Sequence, residues 1–159
     1  KFNLNTLILE IYTSFEHKAA GKKIRFDYFT PLDDDQGYIQ SDEHKIRQIL
    51  TNLLNNAFKF TAEGGTISYG YYLDKECIKF FVSDNGIGIP KDYVNKIFER
   101  FTQVEDSNKR NFEGTGLGLP ISKGLVKLLG GSIQVDSTLN QGTTFSFSIS
   151  LKAGQCIEG

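Results

Sequence analysis

Gly114-Thr115-Gly116-Leu117-Gly118-Leu119 places three glycines at alternate positions. A long polar run precedes it and a helical apolar pattern follows. Glycines at this density suit neither a packed strand nor a helix interior. They let backbone N–H groups approach a bound group closely, and a helix N-terminus behind them favours an anion. Read alone, the segment is either a phosphate-binding loop or a glycine-rich hinge. The segments around it decide between the two.

Thr102 to Glu113, just upstream, is polar, aperiodic and too long for a routine connection, as lids and disordered loops are. Phe98-Glu99-Arg100-Phe101 stands before it. Further back, Asp84-Asn85-Gly86-Ile87-Gly88-Ile89-Pro90 closes a strand pattern over Ile78 to Ser83. An acid at a strand end before Gly-x-Gly is a ligand-site arrangement, or else an Asx turn with glycines serving its geometry. Pro90 suits the first turn of a short helix through Ile97. A partner strand is expected over Thr66 to Leu73, joined near Asp74-Lys75-Glu76.

A helix capped by Ser41 or Asp42 is expected to run to about Phe60. Ile46, Ile49, Leu50, Leu53, Leu54 and Ala57 form its core stripe. Lys45, Gln48, Asn52, Asn56 and Lys59 fall on a separate face. Asparagines four apart inside a helix are mildly unfavourable, so contact with a ligand is an obvious compensation.

At the start of the chain, Leu4, Leu7, Ile8, Ile11, Tyr12 and Phe15 mark one face of a helix ending near Gly21. Ile24 to Phe29 alternates as a strand, Pro31 to Gly37 is a turn, and Tyr38-Ile39-Gln40 is a short strand. The acids Asp33 to Asp35 read as a solvated loop. After the glycine motif a helix is expected over Leu117 to Leu129, with Ile121, Leu125, Val126, Leu128 and Leu129 inside and Gly130-Gly131 ending it. Ser132 to Asp136 and Thr143 to Leu151 read as strands joined by Asn140-Gln141-Gly142. Helices and strands mix without strict alternation, so the natural packing is an α/β two-layer sandwich: one mixed sheet covered on one face by about three helices.

The 159 residues suit one domain over 1–151, followed by a tail or linker over 152–159. A net charge of −1 gives no reason to expect nucleic acid or an anionic membrane as partner. No apolar run is long enough to span a bilayer. The chain opens at Lys1 without Met, as expected for a piece of a longer protein. Cys77 and Cys156 have no metal-site spacing, form no disulfide framework, and fit a reducing compartment.

Taken in order, Asn52-Leu53-Leu54-Asn55-Asn56-Ala57-Phe58-Lys59-Phe60-Thr61, Asp84-x-Gly86-x-Gly88, Phe98-Glu99-Arg100-Phe101 and Gly114-x-Gly116-x-Gly118 resemble the N, G1, F and G2 boxes of two-component sensor histidine kinases. Each box is weak alone; all four in order and at normal spacing are highly specific. The resemblance implies the catalytic ATP-binding domain of such a kinase, with the Bergerat fold and a mobile ATP lid.

It also implies roles. Asn56 matches the Mg²⁺-ligating asparagine, whose neutral carbonyl suits a hard cation held mostly by phosphates. Asn52 would meet the phosphates or the water shell of the metal, Lys59 a phosphate oxygen, and Phe60 the adenine. Asn56 and Lys59 are the implied catalytic residues. Asp84 matches the acid that reads the exocyclic amine of adenine, which predicts ATP over GTP. Gly86 and Gly88 would let backbone pass close to the base, Ile89 would line the pocket, and Thr143 matches a position near the adenine. Gly114, Thr115, Gly116, Leu117 and Gly118 would bring lid backbone onto the phosphates. Phe98 and Phe101 would anchor the root of the lid. One departure is Gln103, where many members carry an Arg; Lys109 and Arg110 are candidate substitutes.

Hydrolytic members of this superfamily place a Glu one turn before the metal asparagine, as base for water. Here that position is Asn52, which cannot accept a proton at neutral pH. Transfer to an acceptor is therefore favoured over hydrolysis. Neither His17 nor His44 has the neighbours of the family's phosphorylated histidine, and both read as helix surface. The implied partners are a separate dimerisation and histidine-phosphoacceptor domain and a downstream response-regulator receiver domain. Nucleic acid and direct membrane contact are not expected, and the isolated domain is expected to be monomeric and cytoplasmic, with a parent that is soluble or membrane-anchored. A Bergerat-fold ATPase and an anti-sigma-type serine kinase remain the alternatives.

Overall fold

A computed structural model describes residues 1–94, 96–98 and 118–150. Its elements are β1 (Phe2–Asn3), α1 (Leu4–Lys22), β2 (Arg25–Phe29), β3 (Tyr38–Ile39), α2 (Glu43–Phe60), β4 (Thr66–Asp74), β5 (Cys77–Asp84), α3 (Gly118–Leu128), β6 (Ile133–Thr138) and β7 (Gly142–Ser150). The main sheet has the order β2-β4-β5-β7-β6. Only β2 and β4 run parallel in it, and the chain between them crosses over through α2. β1 and β3 make a separate antiparallel pair, Phe2 opposite Ile39.

Alternation along the strands separates the two faces of the sheet. Ile67, Tyr69 and Tyr71 of β4, Ile78, Phe80 and Val82 of β5, and Phe145, Phe147 and Ile149 of β7 are buried. They meet Leu4, Leu7, Ile8 and Ile11 of α1, the apolar stripe of α2, and Val126 of α3 in one core. Aromatic rings fill much of it: Phe80 stacks on Phe147 at 4.8 Å and Phe26 on Tyr69 at 5.4 Å. The buried tyrosines satisfy their hydroxyls locally, Tyr69 donating to the Ile8 carbonyl and Tyr71 to Asn5 Oδ1 at 2.6 Å. The opposite face is mostly polar, with Ser83 and Thr144 paired at 2.8 Å, and also carries the rings of Tyr72 and Phe81, 6.3 Å apart. Mixed sheet and three helices give the expected α/β sandwich.

Several local expectations are corrected. The short helix after Pro90 is only a 3-10 turn over Lys91–Tyr93, closed by the Tyr93 N–H on the Pro90 carbonyl at 2.9 Å. In α3, Ile121 and Leu128 are 41% and 73% exposed, whereas Ser122 is fully buried. The face that packs on the core therefore runs through Leu119, Ser122, Leu125, Val126 and Leu129, as expected for Leu125, Val126 and Leu129, and only Ile121 and Leu128 of the expected set lie off it. Cys77 is disulfide-bonded, against the expected reduced thiols. Spacing along a chain does not tell which cysteines meet in space. Thr102 to Glu113, Leu117, Leu151 and the tail over 152–159, with Cys156, lie outside the described residues.

Candidate functional site

The site is laid out along α2. Asp42 caps this helix, its Oδ1 accepting from the Lys45 N–H at 3.1 Å. Ile46, Ile49, Leu50, Leu53, Leu54, Ala57 and Phe58 are buried, which fixes the rotation of the helix. Asn52 and Asn56 are then half-buried on its flank, and Lys59 is exposed. Asn52 and Asn56 stand about 6 Å apart along the axis, and Phe60 a further ~6 Å on. Asn52 Nδ2 donates to Ser122 Oγ at 3.3 Å, linking α2 to α3. Lys59 Nζ lies 5.4 Å from the centre of the Phe60 ring. Lys22 of α1 holds the end of α2, its Nζ donating to the carbonyls of Phe58 and Thr61, the latter at 3.0 Å.

A second group of polar side chains stands at one end of the sheet. Along β5 the buried residues Ile78, Phe80 and Val82 are followed in the same alternation by Asp84. Along β7, Thr143 precedes Phe145 and Phe147, and along β6 Ser137 follows Ile133 and Val135. Period two puts all three polar residues on the helix-facing side. Strand register places Asp84 beside Thr143 and Thr143 beside Ser137, so they form a row across three strands. Asp84 Oδ1 accepts from the Gly86 N–H at 2.8 Å. Burial pushes the Asp84 carboxyl above the ordinary aspartate range, opposed by the backbone N–H groups of Gly86 and Thr143. Thr143 is only 7% exposed.

The loop after Asp84 is held between these two groups. The Ile87 N–H donates to the Phe60 carbonyl at 3.2 Å, and the Asn140 N–H donates to the Ile87 carbonyl at 2.6 Å. Gly88 has φ of 72°, and a Cβ there would stand 2.2 Å from the Thr138 carbonyl oxygen. A Cβ at Gly86 would stand 2.3 Å from the Phe60 carbonyl oxygen. Both glycines are thus required by close backbone approach. Ile89 is half-buried, and its N–H donates to Ser137 Oγ at 2.8 Å. Phe98 packs edge-on against Phe145 at 6.2 Å, with Lys123 Nζ 5.9 Å from its ring centre.

The structure thus gathers Asp84, Gly86, Gly88, Ile89 and Thr143 at one end and joins them through Phe60 to the Asn52, Asn56 and Lys59 row. Gly118 begins α3. Phe101, Gln103, Lys109, Arg110, Gly114, Thr115, Gly116 and Leu117 lie outside the described residues. Ser122 and Ser137 were not anticipated. Ser137 was legible, because it ends an apolar alternation just as Asp84 does. Ser122 was hidden by the apolar residues beside it in α3. Among the described residues no group of three His, Cys, Asp or Glu is placed to hold a metal ion. No described helix is long and apolar enough to cross a membrane.

Residues 41–153 match the family described as histidine kinase-, DNA gyrase B- and HSP90-like ATPase. The chain belongs to this family. Within this ATPase family, its relatives are sensor histidine kinases. The circadian input-output histidine kinase CikA of Synechococcus elongatus is 39% identical over 145 residues, covering 91% of this chain and 19% of CikA. The chain therefore spans about a fifth of the length of that relative. The catalytic domain of histidine kinase ThkA superposes with a TM-score of 0.81 at 33% identity, covering 94% of this chain and 95% of that domain. ThkA also stands in a structure with the response regulator protein TrrA, where the match covers 95% of this chain and 41% of ThkA at a TM-score of 0.77 and 31% identity. Full-length ShkA in complex with AMPPNP matches at 30% identity and a TM-score of 0.80, covering 96% of this chain and 31% of ShkA.

Proposed function

We propose that this chain binds Mg-ATP and donates the γ-phosphate to a histidine on a separate dimerisation domain, which then serves a response-regulator receiver domain. The observation that carries the reading is Asn52, half-buried one turn before Asn56 and donating to Ser122. An amide at that place orients a phosphate or a water but takes no proton from one. The AMPPNP bound to ShkA and the response regulator bound to ThkA support the nucleotide and the downstream partner.

In this reading Asp84 accepts from the exocyclic amine of adenine, with Thr143 beside it and Ile89 against the ring. Asp84 must be ionised to do so, and its two backbone N–H neighbours favour that form. Phe60 flanks the base, and Lys59 reaches a phosphate oxygen. The residues fit one Mg²⁺: Asn56 offers a single half-buried carbonyl oxygen, and among the described residues no carboxylate cluster competes with the phosphates for the ion. When bound, the ion supplies charge neutralisation for the transferring phosphoryl group. The N–H groups of Gly114, Thr115, Gly116, Leu117 and Gly118 would serve the phosphates in this reading, and Phe98 packs on Phe145.

The test is transfer from γ-labelled ATP to a purified histidine-bearing dimerisation domain of the same parent protein. Acid-labile, base-stable label on that domain is expected, as for a phosphohistidine. Acid-stable label on serine, or none at all, would overturn the proposal.

A further inference from the structure

We propose that Ser137 is a positioning residue for base selectivity, acting by locking the hydroxyl of Thr143. The inference rests on the adenine-reading role given above to Asp84 and Thr143.

Ser137 makes three contacts. Its Oγ accepts from the Ile89 N–H at 2.8 Å, and its O–H donates to the Gly142 carbonyl at 3.1 Å. Its Oγ also lies 2.8 Å from Thr143 Oγ1. A serine hydroxyl has one hydrogen and two lone pairs. With the hydrogen spent on Gly142 and one lone pair on Ile89, the remaining lone pair accepts from the Thr143 O–H. The hydroxyl of Ser137 is then saturated, and that of Thr143 has its hydrogen turned toward β6. Toward the nucleotide, Thr143 presents only lone pairs.

This orientation bears on which base is accepted. Adenine carries an amine at C6, a donor; hypoxanthine and guanine carry a carbonyl there, an acceptor. An ionised Asp84 repels that carbonyl. A rotatable Thr143 hydroxyl beside it could swing its hydrogen over and partly rescue the wrong base. Tied to Ser137, it cannot. The three residues stand in one row across β5, β7 and β6, so strand register itself sets the lock. Through the Ile89 N–H the same serine fixes the loop that flanks the base.

The test is calorimetric titration of the chain with ADP and with inosine diphosphate, for wild type, Ser137→Ala and Ser137→Thr. Wild type is expected to prefer ADP clearly. In Ser137→Ala the preference falls by roughly threefold to tenfold, the worth of one neutral hydrogen bond, with the inosine nucleotide weakened least. Ser137→Thr keeps a hydroxyl and restores the preference; thermal melting checks that each variant is folded. Equal weakening of both nucleotides in Ser137→Ala would mean a merely structural serine and would overturn the inference. Wild type showing no preference would instead overturn the adenine assignment itself, and this role with it.

Discussion

Replacing Asp84 by Asn should weaken nucleotide binding sharply while leaving the fold intact or firmer. The substitution is nearly isosteric. The Asn carbonyl oxygen can keep the Gly86 N–H bond that Oδ1 now accepts at 2.8 Å. What changes is the other atom, a carboxylate oxygen that becomes an NH₂ facing the amine of adenine. A hydrogen bond to a charged group contributes about 1.5–3 kcal/mol, so ADP affinity should fall roughly tenfold to a hundredfold. Stability should move the other way. Burial raises the Asp84 carboxyl above the ordinary value near 3.8, so the ionised form costs the empty fold stability at neutral pH. The neutral amide removes that cost, and the nucleotide-free melting temperature should hold or rise. Lowering the pH through the raised value should weaken ADP binding to wild type, because the carboxylate is needed as an acceptor. The affinity of the Asp84→Asn variant should stay flat over the same range. Calorimetry with Mg-ADP across pH, paired with thermal melts, reads all of these. Unchanged ADP affinity, or a loss that follows unfolding, would refute the reasoning.

Asn56→Ala should weaken ADP binding at least about tenfold in Mg²⁺ and little in EDTA, since it removes a metal ligand and not a contact to the base; equal loss in both buffers would contradict the metal role. Gly88→Ala forces a side chain into φ of 72° and onto the Thr138 carbonyl oxygen, so it should cost at least about 1–2 kcal/mol in denaturant unfolding and weaken nucleotide binding as the loop shifts. Lys22→Ala releases the carbonyls of Phe58 and Thr61 at the end of α2. It should cost about 1 kcal/mol, lowering the melting temperature by roughly 2–4 °C, with ADP affinity changed less than in Asp84→Asn.

The long amphipathic helix α2 was legible because its buried stripe and its polar row are both set by one period, and both hold in the structure. The central strands were legible for the same reason, with Ile78, Phe80 and Val82 alternating against polar neighbours. β1 was not, because two residues carry no period, and its pairing with β3 is settled by the turn that brings Gly37 against Leu4 at 2.7 Å. The face of α3 was misread because Ile121 and Leu128 are as apolar as the residues that do pack, and only the position of α2 decides between them. The place of Ser137 at the end of an alternation was legible, but its contacts were not, because its partners Ile89 and Thr143 are distant in sequence or on the next strand. Register brings them together, and no local pattern encodes register between strands of a mixed sheet.

The most direct test of the account follows phosphate release from γ-labelled Mg-ATP by this chain alone, once calorimetry has established that it binds ADP. With Asn52 unable to take a proton from water, negligible release and no label on the chain are expected, and Asn52→Glu should raise release above that background. Sustained release by the wild-type chain would mean that water is activated without an acid at position 52, and the kinase reading would give way to an ATPase.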